Sequence, residues 1–145
     1  MAESDVFVHE LRVRYGECDP QGIVFNANYL LYFDVAFTEL WRATVGPWQD
    51  MPASGVDAVV ANASLRFRQP ARYDDVLALE LRIVDLAETS VTTEMRAMRD
   101  DTLLVVATLE HVCVDAQTWK RTAFPDWIRD ALSAFAAGQS VTRGA

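Results

Sequence analysis

Residues that bind metals or build disulfide frameworks are nearly missing from this chain. Its 145 residues include two cysteines, Cys18 and Cys113, and two histidines, His9 and His111. The cysteines have no zinc-ligand spacing and make no disulfide framework, and neither histidine has an i+4 mate, so no metal site is expected. Cysteines used this way fit a reducing compartment, and the cytoplasm is the expected location. Long apolar runs are missing too: nothing approaches the roughly 18 residues of a membrane-spanning helix. The start, Met1-Ala2-Glu3-Ser4-Asp5, is acidic where a signal peptide is basic. Positive charge is scarce, with 13 Lys and Arg against 21 Asp and Glu and a net charge of −8. That balance repels nucleic-acid phosphates and anionic membranes, and the aromatic-plus-basic signature of single-strand binders is absent. Neither nucleic acid nor a membrane is an expected partner.

What is present is an ordinary globular balance, 51% apolar and 23% charged residues. A chain of this length can bury roughly 68–70% of its unfolded surface, and we expect one domain over residues 1–137. The small, polar stretch 138–145 is expected to be a disordered tail.

Val6 to Tyr15 alternates, with Phe7, Leu11, Val13 and Tyr15 on one face, which predicts a half-buried strand. Tyr29 to Val45 carries few polar groups and reads as a helix apolar nearly all round, ended by Gly46-Pro47. Trp48 to Asp57 reads as a loop. Four strands follow. Val59, Ala61, Ala63, Leu65 and Phe67 share one face of the first; Leu77, Leu79, Leu81 and Ile83 mark the second. Val91, Thr93, Met95 and Ala97 mark the third, and Leu103 to Asp115 is long and apolar enough to be central. The joins Ala87-Glu88-Thr89 and Asp100-Asp101 are too short for crossover helices and predict antiparallel hairpins. Pro125 opens a last helix with a stripe of Trp127, Ile128, Ala131, Leu132 and Phe135. The class is therefore α+β: one long central helix wrapped by a curved antiparallel sheet of about five strands, plus a C-terminal helix. One sheet covers only part of a helix that is apolar all round, so a second subunit is expected on the remainder.

Between the first strand and the long helix, Asp19-Pro20-Gln21-Gly22 fits a type I turn. In the structural reading, Asp19 merely accepts a hydrogen bond from a backbone N–H two residues on. Two features favour chemistry. The apolar step Ile23-Val24-Phe25 follows at once, and Asn26-Ala27-Asn28 then starts the helix, with either asparagine able to cap it. Unpaired N–H groups there would present the positive end of the helix dipole to a bound carbonyl.

The whole run Arg14-Tyr15-Gly16-Glu17-Cys18-Asp19-Pro20-Gln21-Gly22-Ile23-Val24-Phe25-Asn26-Ala27-Asn28-Tyr29-Leu30 resembles the signature of the hot-dog-fold acyl-CoA thioesterases. It is most similar to their 4-hydroxybenzoyl-CoA thioesterase-like branch. Phe67-Arg68-Gln69-Pro70-Ala71-Arg72-Tyr73-Asp74-Asp75 resembles that family's link between its second and third strands, and Glu110-His111-Val112-Cys113-Val114-Asp115 its last strand. The resemblance implies the hot-dog fold and hydrolysis of an acyl-CoA thioester to a free acid and coenzyme A. It implies that Asp19 is the catalytic carboxylate, as nucleophile or as general base for water. It implies that the main-chain N–H of Asn26 polarises the thioester carbonyl, with Gly22 and Phe25 beside the substrate. No metal or redox cofactor is implied, coenzyme A being part of the substrate. Separately from the resemblance, burial of the rest of the long helix leads us to expect a homodimer assembling into a homotetramer.

Asp34 lies on the helix with Thr38 and Arg42 at i+4 steps, and is either an ion-paired helix acid or the contact for a polar acyl end. Trp48 either lines an acyl pocket or packs. Glu39 is expected to pair with Arg42, Cys18 to be a packed thiol, and His111 to be a satisfied structural histidine. The coenzyme A phosphates need cations, and Arg66, Arg68, Arg72, Arg96, Arg99, Lys120 and Arg121 are all candidates. Two rival functions stand beside hydrolysis: a hydratase or dehydratase on the same fold, needing an Asp/His pair, and a non-catalytic acyl-CoA-binding module.

Overall fold

In the computed structural model, which describes residues 5–138, strands β1 (Phe7–Arg12), β2 (Val56–Phe67), β3 (Val76–Leu86), β4 (Ser90–Arg99) and β5 (Thr102–Asp115) form one antiparallel sheet. Its order is β1-β3-β4-β5-β2. The expected hairpins join β3 to β4 and β4 to β5, and every apolar residue of the two alternations over 77–83 and 91–97 is buried. β5 lies inside the sheet between β4 and the edge strand β2, rather than at its centre. A bulge between Val60 and Asn62 resets the alternation of β2, so the single face expected from Val59 to Phe67 is broken there.

Helix α1 (Asn26–Thr44) lies on the sheet and buries Tyr29, Tyr32, Phe33, Ala36, Phe37, Leu40 and Trp41. Each large apolar group so removed from water contributes about 1.5–3 kcal/mol. The opposite side is not covered: Leu30, Leu31 and Val35 are exposed, Leu31 by 53%. Helix α3 (Asp126–Ala136) follows Pro125 and buries Ile128, Leu132 and Phe135, while Trp127 turns outward. The expected loop after α1 contains a short helix, α2 (Asp50–Ala53), which places Met51 in the core. Among the described residues no helix is long and apolar enough to cross a membrane. The tail expected over 138–145 lies, apart from Gly138, outside the described residues.

Two details differ from the sequence reading, and both matter to the site. β1 stops at Arg12, and Tyr15–Glu17 forms a turn of 3-10 helix that leaves the Tyr15 ring exposed. Helix α1 starts at Asn26, inside the Asn26-Ala27-Asn28 start that was expected, but its N-cap is Phe25, with no side-chain cap. Neither asparagine caps it, because Asn28 turns its side-chain amide back to the Glu17 carbonyl at 2.8 Å.

Candidate active site

The loop from Arg14 to Phe25 is tied to both ends of its surroundings. Glu17 is the knot. Its Oε1 accepts from the Arg14 main-chain N–H and the Tyr32 hydroxyl, each at 2.8 Å, and its Oε2 from Arg14 Nε at 2.9 Å. The Glu17 carbonyl accepts from the Phe25 N–H at 3.0 Å as well as from Asn28. Burial alone would raise the Glu17 carboxyl, but the Arg14 and Tyr32 donors outweigh it and hold the group below the usual carboxylate range. The same bond and burial push the Tyr32 phenol upward. Sequence reasoning missed Glu17; the signal was an acid three residues after Arg14 and two before Asp19.

Beyond the knot, Cys18 and Val24 pair as an isolated antiparallel bridge, closing the turn that carries Asp19. The Gly22 N–H donates to the Asp19 carbonyl at 2.9 Å, and the Gln21 N–H donates to Asp19 Oδ1 at 2.8 Å. The structural role foreseen for Asp19 is therefore real, and it occupies one carboxylate oxygen. Oδ2 makes no hydrogen bond to any described residue. Gly22 has φ +81°, and a Cβ there would meet nothing within 4 Å. The left-handed backbone, rather than crowding in the free protein, makes glycine the favoured residue.

Asp19 and Asn26 line one cavity of about 320 Å³, together with Gln21, Ile23, Val24, Tyr29 and the wall Phe67-Arg68-Gln69-Pro70. That wall is pinned in place: Val24 N–H donates to the Ala71 carbonyl at 2.9 Å, and Ala71 N–H to the Tyr29 hydroxyl at 3.2 Å. At the first turn of α1 the main-chain N–H groups of Asn26 and Ala27 have no acceptor among the described residues, whereas Asn28 N–H is held by the Phe25 carbonyl at 2.9 Å. The cavity thus combines Asp19, with one carboxylate oxygen lacking a partner, and Asn26, whose main-chain N–H is free at the positive end of a 19-residue helix; Ala27 is not among its lining residues. Gly22 and Phe25 are not among its lining residues.

Asp34 and Trp48 fall in a second cavity, of about 490 Å³, with Thr38, Ala58, Val59, Val60 and His111. No residue lines both. Asp34 lies eight residues beyond Asn26, roughly 12 Å along the helix. Its carboxylate does not pair with Arg42, which takes Glu39 at 3.6 Å as the spacing suggested. Trp48 packs its ring against Trp41, with centroids 5.1 Å apart, and also faces this cavity. Cys18 is half-buried with its thiol toward the Arg14 carbonyl, and burial pushes the Cys113 thiol up to about 11.

His111 differs from expectation. It is buried and stacked on Phe37 at 3.8 Å, yet its Nδ1 has no hydrogen-bond partner. Burial lowers its pKa from the ordinary 6.5 to about 4. Between those values the unfolded chain binds a proton that the folded chain refuses, so stability falls as pH drops through this window. From pH 7 to pH 5 the loss attributable to this ring is roughly 2 kcal/mol. Denaturant midpoints at the two pH values should show it, and His111→Phe should remove that part of the difference.

A family model described as the thioesterase-like superfamily matches residues 13–132. The chain belongs to the thioesterase-like superfamily. An acyl-CoA thioester hydrolase, YbgC, of Escherichia coli O157:H7 is 32% identical over 121 residues, covering 83% of this chain and 90% of that one. The 4-hydroxybenzoyl-CoA thioesterase of Pseudomonas sp. strain CBS-3 is 36% identical over a shorter stretch of 74 residues, 48% of this chain and 51% of the other. A crystal structure of a protein from Aquifex aeolicus superposes with a TM-score of 0.82 at 29% identity, covering 87% of this chain and 98% of that one. Within this superfamily the five-stranded sheet around a long helix is the hot-dog fold, and membership agrees with the resemblance carried by the Arg14 to Leu30 run.

Proposed function

We propose that this thioesterase-superfamily member hydrolyses acyl-CoA thioesters, with Asp19 and the main-chain N–H of Asn26 as its catalytic groups. The observation that carries the reading is their meeting in one cavity. Asp19, with a carboxylate oxygen free of protein partners, lines the same space as Asn26, whose N–H is unpaired at a helix N-terminus. A thioester carbonyl oxygen bound at Asn26 N–H would gain negative charge as its carbon is attacked, and the donor and helix dipole stabilise that charge. Asp19 supplies the attack, either directly as a nucleophile or by taking a proton from water. The C–S bond then breaks and the sulfur departs as the thiol of coenzyme A; water attack gives the carboxylic acid directly, whereas direct attack leaves an acyl anhydride on Asp19 that a water molecule cleaves to the acid, restoring the carboxylate. This chemistry calls for no metal or redox cofactor. Two free thiols, Cys18 and Cys113, support a reducing, cytoplasmic setting.

Hydration of an enoyl thioester is the rival that shares substrate and fold. It needs a histidine beside the acid, and neither His9 nor His111 lines the Asp19 cavity. Free-thiol release and loss of enoyl absorbance, followed together on one substrate, separate the two. Both reactions remove the conjugated enoyl-thioester absorbance, but hydrolysis predicts one free thiol for each enoyl thioester lost, and loss of absorbance without thiol overturns the reading. The same mixture tests the binding-module alternative, which predicts neither signal.

Assembly belongs to the same proposal. Leu30, Leu31 and Val35 on α1 and Val60 on β2 are exposed apolar groups, and the 12-residue edge strand β2 has one side unpaired. Such an edge and face favour pairing with a second copy, giving a dimer and, by pairing of dimers, a tetramer. Light scattering at micromolar concentration should report at least a dimer; a monomer there contradicts this part of the proposal.

A further inference from the structure

A third cavity, of about 500 Å³, opens on the face of the sheet opposite α1. It is lined by Ser64, Arg66, Arg68, Arg96, Leu103, Val106 and Thr108. The register explains the grouping. Arg66 and Arg96 both pair with Val106 from opposite sides, and Ser64 and Glu94 both pair with Thr108. Cross-strand partners share a face, so Arg66 and Arg96 stand on one rung, roughly 9–10 Å apart across the strands. Arg68 is two residues further along β2's direction, roughly 7 Å from Arg66.

Three guanidiniums collected in a protein of net charge −8 call for an explanation. Nearby acids account for only one of them. Glu94 Oε1 accepts from Arg96 Nε at 3.0 Å, and Glu80 is the cross-strand partner of Arg96 on β3. Arg66 and Arg68 form no ion pair or side-chain hydrogen bond among the described residues. Of the other eight described arginines, four are ion-paired, Arg12 with Asp74, Arg14 with Glu17, Arg42 with Glu39 and Arg99 with Asp75, and Arg121 and Arg129 hydrogen-bond to Thr89 and to the Glu88 carbonyl; Arg72 and Arg82 form no ion pair among the described residues. Unpaired, like-charged side chains in one groove repel each other, and an anion relieves that repulsion.

The position of Arg68 ties the groove to the chemistry, because Arg68 lines both this cavity and the one holding Asp19 and Asn26. We propose that this groove is the phosphate subsite for the nucleotide end of coenzyme A, with Arg66 and Arg68 as its principal cations and Ser64 and Thr108 as hydroxyl donors. It rests on the acyl-CoA reading above and extends it. The thioester lies in the Asp19 cavity, and the carrier passes Arg68 to the back of the sheet. There the planar guanidiniums make paired, charge-assisted hydrogen bonds to phosphate oxygens. Of the seven cations the sequence offers, the structure brings three to this groove. Lys120 and Arg121 are elsewhere: Arg121 contacts Thr89, beyond the far end of β4 from Arg96.

The test compares coenzyme A with pantetheine, which lacks the nucleotide phosphates. Calorimetric affinity for each is measured on the wild-type chain, Arg66→Gln, Arg66→Lys and Arg121→Gln. Arg66→Gln should weaken coenzyme A by about tenfold or more and leave pantetheine unchanged, with partial recovery in Arg66→Lys. Arg121→Gln removes the same charge from the protein outside the groove and should bind both as wild type does. Equal loss for both ligands in Arg66→Gln, loss for neither, or an equal effect in Arg121→Gln overturns the proposal. The binding measurement is independent of turnover. If no acyl-CoA is hydrolysed, the catalytic reading fails while the groove still stands or falls on these affinities.

Discussion

Replacing Asp19 with asparagine should leave a folded protein that turns over acyl-CoA about 10²–10⁴ times more slowly. The fold survives because asparagine keeps a side-chain carbonyl oxygen. That oxygen can still accept from the Gln21 N–H now bonded to Asp19 Oδ1 at 2.8 Å, and the Gly22 N–H bond to the residue 19 carbonyl does not involve the side chain. Activity is lost because an amide neither takes a proton from water nor attacks a thioester. The two roles of Asp19, one per carboxylate oxygen, thus separate in a single substitution. Thermal denaturation and thiol release measured on the same preparation check both halves. An unfolded variant would put the structural role first, and a fully active one would remove Asp19 from the chemistry.

The second large effect is expected at a main-chain atom. Asn26→Pro deletes the N–H that we place on the thioester carbonyl, and little else. Proline is well tolerated at the first helical position, and Asn26 occupies it. The preceding residue, Phe25, already has φ −61° and ψ 133°, the extended conformation that a following proline demands. No intrahelical bond is lost, since this N–H has no acceptor. Loss of one oxyanion donor costs about 2.7–4 kcal/mol of barrier, or 10²–10³ in kcat. Asn26→Ala keeps the donor and should retain near wild-type turnover. If proline and alanine behave alike, the carbonyl is bound elsewhere.

Much of the scaffold was legible because hydrophobic alternation is local. The runs 77–83 and 91–97 point inward as read, and the tight joins between β3, β4 and β5 left no room for anything but hairpins. The meeting of Asp19 and Asn26 in one cavity was legible for a related reason: a turn and a helix start seven residues apart in sequence cannot lie far apart in space. What failed was decided by longer-range contacts. The bulge between Val60 and Asn62 reversed part of β2, and Tyr15 left the strand when Glu17 bonded back to Arg14. The helix cap was misassigned: it falls on Phe25, and Asn28 serves Glu17 rather than the helix end. Asp34 and Trp48 could not be separated from Asp19 on sequence alone, since Asp34 lies on the helix that follows Asp19 and Trp48 just past its end; only the packed structure puts them in another cavity with His111. His111 itself, mid-strand among apolar neighbours, carried no sequence signal that its ring would lack a partner.

The central claim is that this chain releases coenzyme A from an acyl thioester through the Asp19 cavity. Its most direct test is the rate of free-thiol release by the wild-type chain and Asp19→Asn, side by side, on aromatic, short-, medium- and long-chain acyl-CoAs. The account predicts stoichiometric thiol from at least one of these classes and a loss of about 10²-fold or more in the variant on that same substrate. Thiol release at equal rates by the two proteins, or none from any class by the wild-type chain, would contradict it.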